Sequence, residues 1–376
     1  MSGSDRDRGK LSHHARLRAD IQSTRALALW KDYTVDFVKD ASPISEEQHD
    51  FLFDRGFTPE KWDLYGFDQN DPDEYLSDVQ RSLTRWLNGP YDMVFNNKIL
   101  FTQVFSGLAR VPETVAVWRS KRMIPYGPLW EQVRQGQAGN GVQLVAKPVG
   151  GGGGNNIYFL TCGPDEIKVE SNIEGDRAQR FSPVHIDSLF AGARVPFIIN
   201  RYLPQGSFSA SLYPRTVNTI RALVIRDPET LQPHLVRAVQ RIGTSESYPI
   251  DNFTFGGLSC PIDLESGELG EGVSGGGRLA GVFQREHPDT GMPLVGATIP
   301  NWSDIKEGLL ELFVQLPYLN YCGFDVVSQD DGFGIIEGNS YSQVRLFQMH
   351  APLLTDPIYR RFLRHYGILQ DLGDSP

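Results

Sequence analysis

The chain has 376 residues, enough for two or three hydrophobic cores. Its apolar and charged fractions, 40% and 22%, are those of a globular protein rather than a disordered one. A net charge of −10 argues against a generic nucleic-acid or anionic-membrane surface, and three scattered cysteines (Cys162, Cys260, Cys322) offer neither a disulfide framework nor zinc spacing, so a cytoplasmic protein is expected.

No apolar run approaches the ~18 residues of a membrane span, the N-terminus lacks a signal-peptide core, and no internal repeat is visible. Residues 1–12 are polar and are expected to fray. From 13 to 39 apolar residues recur at helical spacing (Leu17, Ile21, Ala26, Leu29, Tyr33, Phe37). Ser45-x-x-Gln48 is a capping box opening a helix over 45–55, which Gly56 stops. A further helix is predicted over 72–87. The first 90 residues therefore read as mostly helical, with no βαβ pattern and no obvious chemistry. Lys98 opens a helix whose apolar face is Leu100, Phe101, Val104, Phe105 and Leu108.

Strands are predicted at 114–118, 142–146 and 157–160. Between the last two lies Lys147-Pro148-Val149 and five consecutive glycines, Gly150 to Gly154. Glycines expose backbone N–H groups without side-chain obstruction, so such a loop can fold over phosphates, and Lys147 adds a point charge. No Gly-Lys-Ser/Thr follows, so it is not a Walker A loop. A strand rather than a helix comes after it, so it is not a dinucleotide fingerprint either. A short helix at 181–190 and a strand at 195–203 follow. Strands at 219–226 and 234–241 flank a turn at Asp227-Pro-Glu and carry Arg221, Arg237 and Arg241. A guanidinium there either binds phosphate or carboxylate bidentately or serves as a surface cross-strand partner. His287, in a turn, reads as structural. A helix is predicted over 302–316, capped by Ser303, and another over 357–366.

The sharpest signal lies near the end. GFDVVSQDDGFGIIEGN reads as a β-hairpin with strands at 324–328 and 333–338 across Asp330-Asp331-Gly332. A turn centred on Asp331 sets Asp325 opposite Glu337, and alternation puts Ile335, Glu337 and Asn339 on one face. Two facing carboxylates repel, and a hard cation between them relieves the repulsion. Asp, Glu and an Asn carbonyl are oxygen ligands of the kind Mg²⁺ takes together with phosphate. The hairpin is thus a candidate magnesium–nucleotide site, with the glycine loop as its phosphate partner.

Lys98, the Lys-Pro glycine loop some 50 residues on, arginines on central strands and Asp…Glu-x-Asn occur in this order in the ATP-grasp superfamily, which the sequence resembles. It is similar in particular to the sugar-transfer-associated ATP-grasp group. That likeness is carried by Pro214-Arg-Thr-Val-Asn-Thr-Ile-Arg221, Asp251-Asn252 through Gly256-Gly257, Pro261-Ile-Asp-Leu-Glu-Ser-Gly-Glu, His287-Pro-Asp-Thr-Gly291, Ile299-Pro-Asn-Trp302 and Gly338-Asn339. It spans roughly residues 50–365. The resemblance implies an α+β fold in which two subdomains clamp ATP: a helical N-terminal region (1–90), a lid and central subdomain (91–200) and a C-terminal subdomain with the metal site (201–376). It assigns Lys98, Lys147, Gly151, Gly152, Gly153 and Asn155 to the phosphates, and Asp325, Glu337 and Asn339 to Mg²⁺. Arg221 and Arg241 face the transferred phosphoryl group. Asn200 and Tyr202 stand in the hinge, where an acidic residue is usual.

The resemblance implies an ATP-dependent carboxylate–amine ligase working through an acyl-phosphate. Its partners would be a small acid and an amine, with no nucleic acid or membrane, and a homodimer is compatible. The alternatives are a kinase on the same scaffold, with His287, His350 or Asp251 as base, and a nucleotide-binding module without turnover.

Overall fold

The computed structural model describes residues 24–154, 156–171 and 178–369. Asn155 and the predicted helical stretch before Thr24 lie outside the described residues. Helices α1 (Thr24–Lys39), α2 (Glu46–Arg55), α3 (Lys61–Tyr65) and α4 (Asp78–Leu83) open the chain. The capping box forms as expected: Gln48 N–H donates to Ser45 Oγ at 3.2 Å and Ser45 N–H to Gln48 Oε1 at 2.7 Å. Gly56 then ends α2 at φ 81°, a left-handed conformation that suits glycine. The single helix predicted over 72–87 is instead a 3₁₀ turn (Pro72–Glu74), a break and α4. A second capping box, Ser77 with Gln80, starts α4 afresh.

Short helices α5 (Asp92–Asn96) and α6 (Lys98–Phe105) lead into the first sheet. Its strands are β1 (Thr114–Arg119), β2 (Arg122–Pro125), β3 (Val142–Pro148), β4 (Tyr158–Cys162), β5 (Ile167–Ser171), β6 (Ala178–Phe181) and β7 (Phe197–Arg201), in the order β2-β1-β7-β3-β4-β5-β6. Helix α7 (Leu129–Arg134) covers one face of it. The second sheet holds β8 (Ile220–Arg226), β9 (Pro233–Ile242), β10 (Leu258–Pro261), β11 (Gly272–Ser274), β12 (Phe283–Gln284), β13 (Tyr321–Gln329) and β14 (Gly332–Asn339). The order is β12-β11-β10-β9-β8-β13-β14. Helix α8 (Ser207–Leu212) joins the two sheets; α9 (Trp302–Gln315), α10 (Arg345–Gln348) and α11 (Pro357–His365) complete the chain. Antiparallel sheets with helices packed on them are the expected α+β class.

The second sheet is buried on both faces, and strand alternation sorts its residues. Ala222 and Val224 of β8 face α6 and α9, joining Phe101, Phe105, Ile305, Leu309 and Phe313. Leu223 and Ile225 face the N-terminal helices and α11, joining Tyr33, Phe57, Val79 and Phe362. Arg221 continues this second face at the end where the helical layer stops. The helices before residue 90 thus share a core with the second sheet, and their edge borders whatever lies over Arg221.

Arg226 fastens α9 to β8. It is buried and donates to the carbonyls of Leu231, Leu319, Leu316 and Phe313, the last two at the C-terminal end of α9. A cation suits a helix C-terminus, whose last carbonyls lack intrahelical donors. Arg226→Met is expected to cost roughly 3 kcal/mol, read from urea unfolding, because several buried acceptors lose their donor together. A loss under about 0.5 kcal/mol would mean water replaces the guanidinium. The start of α9 departs from expectation. Asn301 at φ 57° is its N-cap, and Ser303 Oγ instead donates to Glu307 Oε1 at 3.3 Å.

Candidate functional site

The hairpin β13–β14 pairs Asp325 with Glu337 and Gly323 with Asn339, the pairing expected, but its turn is centred between Asp330 and Asp331, with Gln329 opposite Gly332. A bulge then intervenes: Val326 pairs with Ile335, leaving Ile336 unpaired. An extra residue reverses the alternation, so Ile335 does not share a face with Glu337. Ile335 is fully buried in the core under α6 and α9, whereas Ile336, Glu337 and Asn339 line a cleft of about 820 Å³. That volume is of the size expected for a small-molecule site.

Protein cations relieve the repulsion between the two carboxylates. Arg221, next to Asp325 across β8–β13, grips it with Nε on Oδ1 and Nη2 on Oδ2 (3.1 Å). Arg241 from β9 reaches Oδ2 at 3.4 Å. Burial acts to raise the Asp325 carboxyl, but the Arg221 and Arg241 charges outweigh it and hold the group below the usual carboxylate range. Glu337 lies 3.7 Å from Lys98 Nζ and 3.8 Å from Lys147 Nζ. Lys147 is buried, and burial brings its ammonium down to about 8; Glu337 opposes this and Lys98 adds to it.

The glycine loop leaves β3 and covers the cleft. Gly151 and Gly153 adopt φ 85° and 80°, open to glycine and costly for other residues. The loop is tied at two points: Lys98 Nζ donates to Gly151 O and Asn252 Nδ2 to Gly153 O, both at 2.8 Å. Asn200 and Tyr202, near and just past the end of β7, the strand beside β3, also line the cleft. Asn200 is buried and donates toward the carbonyls of Pro112 and Glu113 and to Thr114 Oγ1. Every residue that the family resemblance assigned to the site therefore lines this one cleft, except Asn155, which lies outside the described residues.

Of two further residues at the cleft, sequence reasoning offered Asp251 only as a candidate kinase base and missed Arg81. Asp251 is buried, accepts from Thr219 N–H and Oγ1, and pairs with Arg241 Nη2 at 2.6 Å. It stands in a stretch that carried the family resemblance, so a signal existed. Arg81 of α4, in the region read as without chemistry, also lines the cleft; nothing in its local sequence marked it. Arg237 turns away and reaches Thr355.

Two histidines are structural. His287 Nδ1 accepts from the backbone N–H groups of Asp289 and Thr290, so the proton sits on Nε2, which donates to Gly243 O at 2.8 Å. Burial lowers its pKa, with the Gly243 bond opposing. His350 Nε2 is 3.2 Å from Ser259 Oγ, and burial lowers it to about 4. For His287 the folded-state pKa is below the unfolded one, so stability is lost as pH falls from about 6.5, by up to about 1.4 kcal/mol per pH unit. The urea midpoint should therefore fall between about pH 7 and about pH 5.5 more steeply in wild type than in His287→Gln. Parallel curves would show that this imidazole protonates freely in the fold.

Among the described residues no three His, Cys, Asp or Glu converge as a protein-only cage. Asp325, Glu337 and Asn339 supply hard oxygen donors from adjacent strands, and Asn339 Nδ2 donates to Gly323 O at 3.1 Å, which orients its Oδ1. Two carboxylates and an amide fit Mg²⁺ that completes its shell with phosphate oxygens and water. The three cysteines are free and buried, and burial raises their thiols, Cys162 to about 12. Among the described residues no helix is long and apolar enough to cross a membrane.

The sugar-transfer associated ATP-grasp family matches residues 79–356. No curated protein matches the sequence. Among solved structures, the ATP-grasp ligase PsnB complexed with minimal precursor is similar at 15% identity and a TM-score of 0.37, over 73% of this chain and 63% of that one. D-alanine–D-alanine ligase from Bacillus anthracis complexed with ATP is similar at 10% identity and a TM-score of 0.39, over 75% and 69%. L-amino acid ligase from Bacillus licheniformis is similar at 8% identity and a TM-score of 0.33, over 66% and 41%. The chain thus spans under two thirds of the length of the PsnB chain it matches.

Proposed function

Because the chain belongs to the sugar-transfer-associated ATP-grasp family and has the ATP-grasp fold, we propose that it is an ATP-dependent, ADP-forming ligase joining a small carboxylic acid to an amine. The observation that supports this best is the convergence of Lys98, Lys147, Arg221 and Arg241 on Asp325 and Glu337 beneath a glycine loop. With Asp251, the residues lining the cleft include six cations (Arg81, Lys98, Lys147, Arg201, Arg221 and Arg241) against three carboxylates, an excess of positive charge suited to a polyphosphate accompanied by a divalent ion.

In this reading a carboxylate oxygen of the acid attacks the γ-phosphorus of ATP, the bond to the β-phosphate oxygen breaks, and ADP leaves. The amine nitrogen then attacks the acyl carbon of the acyl-phosphate, the C–O bond to phosphate breaks, and the nitrogen loses a proton to solvent. Lys98 and Lys147 hold phosphate oxygens, with the N–H groups of Gly151, Gly152 and Gly153 closing over them. Arg221 and Arg241 stabilise charge on the transferred phosphoryl group, already oriented by Asp325. Mg²⁺ held by Asp325, Glu337 and Asn339 would neutralise charge on the phosphates. Asn200 and Tyr202 border the base. The first sheet, Thr114 to Arg201, acts as the lid over the second, Ile220 to Asn339.

A kinase on the same scaffold is the second reading. It needs a base beside the acceptor hydroxyl, and the three candidates are engaged: Asp251 by Thr219 and Arg241, His287 by Gly243, His350 by Ser259. The ligase needs no such base, since positioning and electrostatics carry the phosphoryl step. The test is product stoichiometry. With Mg²⁺, ATP, mixed acids and an amine, a ligase releases phosphate and ADP in equal amounts. ADP without phosphate, with a phosphorylated acceptor, would establish the kinase instead.

A further inference from the structure

Helix α4 brings into the cleft a cation for which the nucleotide reading has no use. Arg81 lines the cleft, its guanidinium 3.9 Å from the centroid of the Tyr341 ring; Arg85, four residues on, approaches the same ring at 4.5 Å. Among the described residues the contacts of the two arginines are to a carbonyl and to aromatic rings rather than to carboxylates. Arg85 Nε is buried and finds no hydrogen-bond partner. Two like charges around one ring are repulsive, and an anion between them and the cleft would relieve this.

Their position relative to the reacting centre is fixed by Ser342. Its carbonyl accepts from Arg81 Nε at 2.9 Å and its Oγ from Arg221 Nη1 at 3.4 Å. Arg81 therefore stands one residue's width from the arginine that grips Asp325. With Nε engaged by Ser342, the Nη1–Nη2 edge is what remains for a ligand, and that edge matches the two oxygens of a planar carboxylate. Thr254, Phe255 and Gln343 line the same end of the cleft and offer hydrogen-bonding and apolar surface to the rest of an acid.

We propose that Arg81, backed by Arg85 and Tyr341, binds a carboxylate of the acid substrate, an amino acid or a short mono- or dicarboxylic acid, beside the phosphoryl-transfer site. This rests on the ligase reading above. The helical N-terminal region thereby completes the acceptor site.

The experiment follows phosphate release from Mg²⁺ and ATP, with hydroxylamine as the amine, across the standard amino acids, short mono- and dicarboxylic acids, and sugar phosphates. Mg²⁺- and ATP-dependent thermal shifts are measured on the same proteins. For the acid that stimulates release, Arg81→Met should raise KM roughly 10- to 100-fold, the range for losing a hydrogen bond to a charged group, and Arg81→Lys should raise it less. Both variants should keep the nucleotide-induced shift. If Arg81→Met does not fold, Arg81→Lys decides: a raised KM supports the assignment and an unchanged one overturns it. Equal KM values in wild type and Arg81→Met overturn it. So does release stimulated by sugar phosphates alone, or by no acid, in a wild type that shows the shift. A wild type with no shift overturns the nucleotide reading and this assignment with it.

Discussion

Glu337→Gln is expected to abolish the Mg²⁺-dependent part of the stabilisation that ATP confers, while leaving the unliganded protein folded. The side chain is partly exposed, and its ion pairs to Lys98 and Lys147 are long, at 3.7 and 3.8 Å. Pairs of that kind contribute little to folding, so the variant without ligand should stay within about 1 kcal/mol of wild type. Its effect on ligand is larger. A nucleotide at 100 times its Kd that binds only the folded state adds about 2.7 kcal/mol in wild type. The neutral amide keeps an oxygen near both lysines but removes a charge from the metal's donor set, so the shift should fall to that seen with ATP alone. Turnover should drop by at least about 10²–10³, the scale of losing one electrostatic contact to a phosphoryl transition state. Thermal unfolding with ATP, Mg²⁺ and both, on wild type and variant, checks this. An undiminished Mg²⁺-dependent shift in Glu337→Gln would reduce Glu337 to a counter-ion for two lysines.

That Glu337 can be singled out at all reflects what a sequence records locally. Asp330-Asp331-Gly332 marks the turn, but Gln329 pairs with Gly332, a register that alone would set Asp325 opposite Ile336; the bulge at Ile336 brings Glu337 opposite Asp325. The capping boxes at Ser45 and Ser77 are equally local; the second, Ser77-x-x-Gln80, marks in the letters the fresh start that separates α4 from the 3₁₀ turn before it. The bulge at Ile336 was not legible, because whether a strand slips by one residue depends on what packs on each face. Nor was the hairpin β1–β2: its turn residues, Ser120 and Lys121, take φ 53° and 60° without the Asn-Gly signature that announces such a turn. The charge arrangement was half legible. Arginines on β8 and β9 were visible as candidates, but that two of them would clasp Asp325 depends on β8 lying between β9 and β13, a pairing across about 80–100 residues. Arg81 carried no local signal, since its place in the cleft comes from α4 packing at the edge of the covered sheet face.

The clasp around Asp325 leads to the second large effect, on folding rather than on ligand. Asp325→Asn is expected to destabilise the unliganded protein by roughly 3–5 kcal/mol, the usual result of removing one partner from a buried ion pair. Asp325 is 6% exposed and Arg221 9%, and the carboxylate compensates both Arg221 and Arg241. An amide offers one oxygen where two accept now and presents its NH₂ to a guanidinium, leaving Arg221 uncompensated. Arg241 retains Asp251, so most of the loss should fall on Arg221. A double-mutant cycle separates the terms: Arg221→Met in the Asp325→Asn background should cost less than in wild type, with a coupling of about 1–3 kcal/mol. Urea unfolding of the four proteins, without nucleotide or metal, is the measurement. A single Asp325→Asn loss below about 1 kcal/mol, or strictly additive costs, would mean the clasp is not formed in solution. If the coupling is found, the same carboxylate that is proposed to receive the metal also holds the phosphoryl-facing arginine in place before any ligand arrives, and the fold itself pre-organises the site.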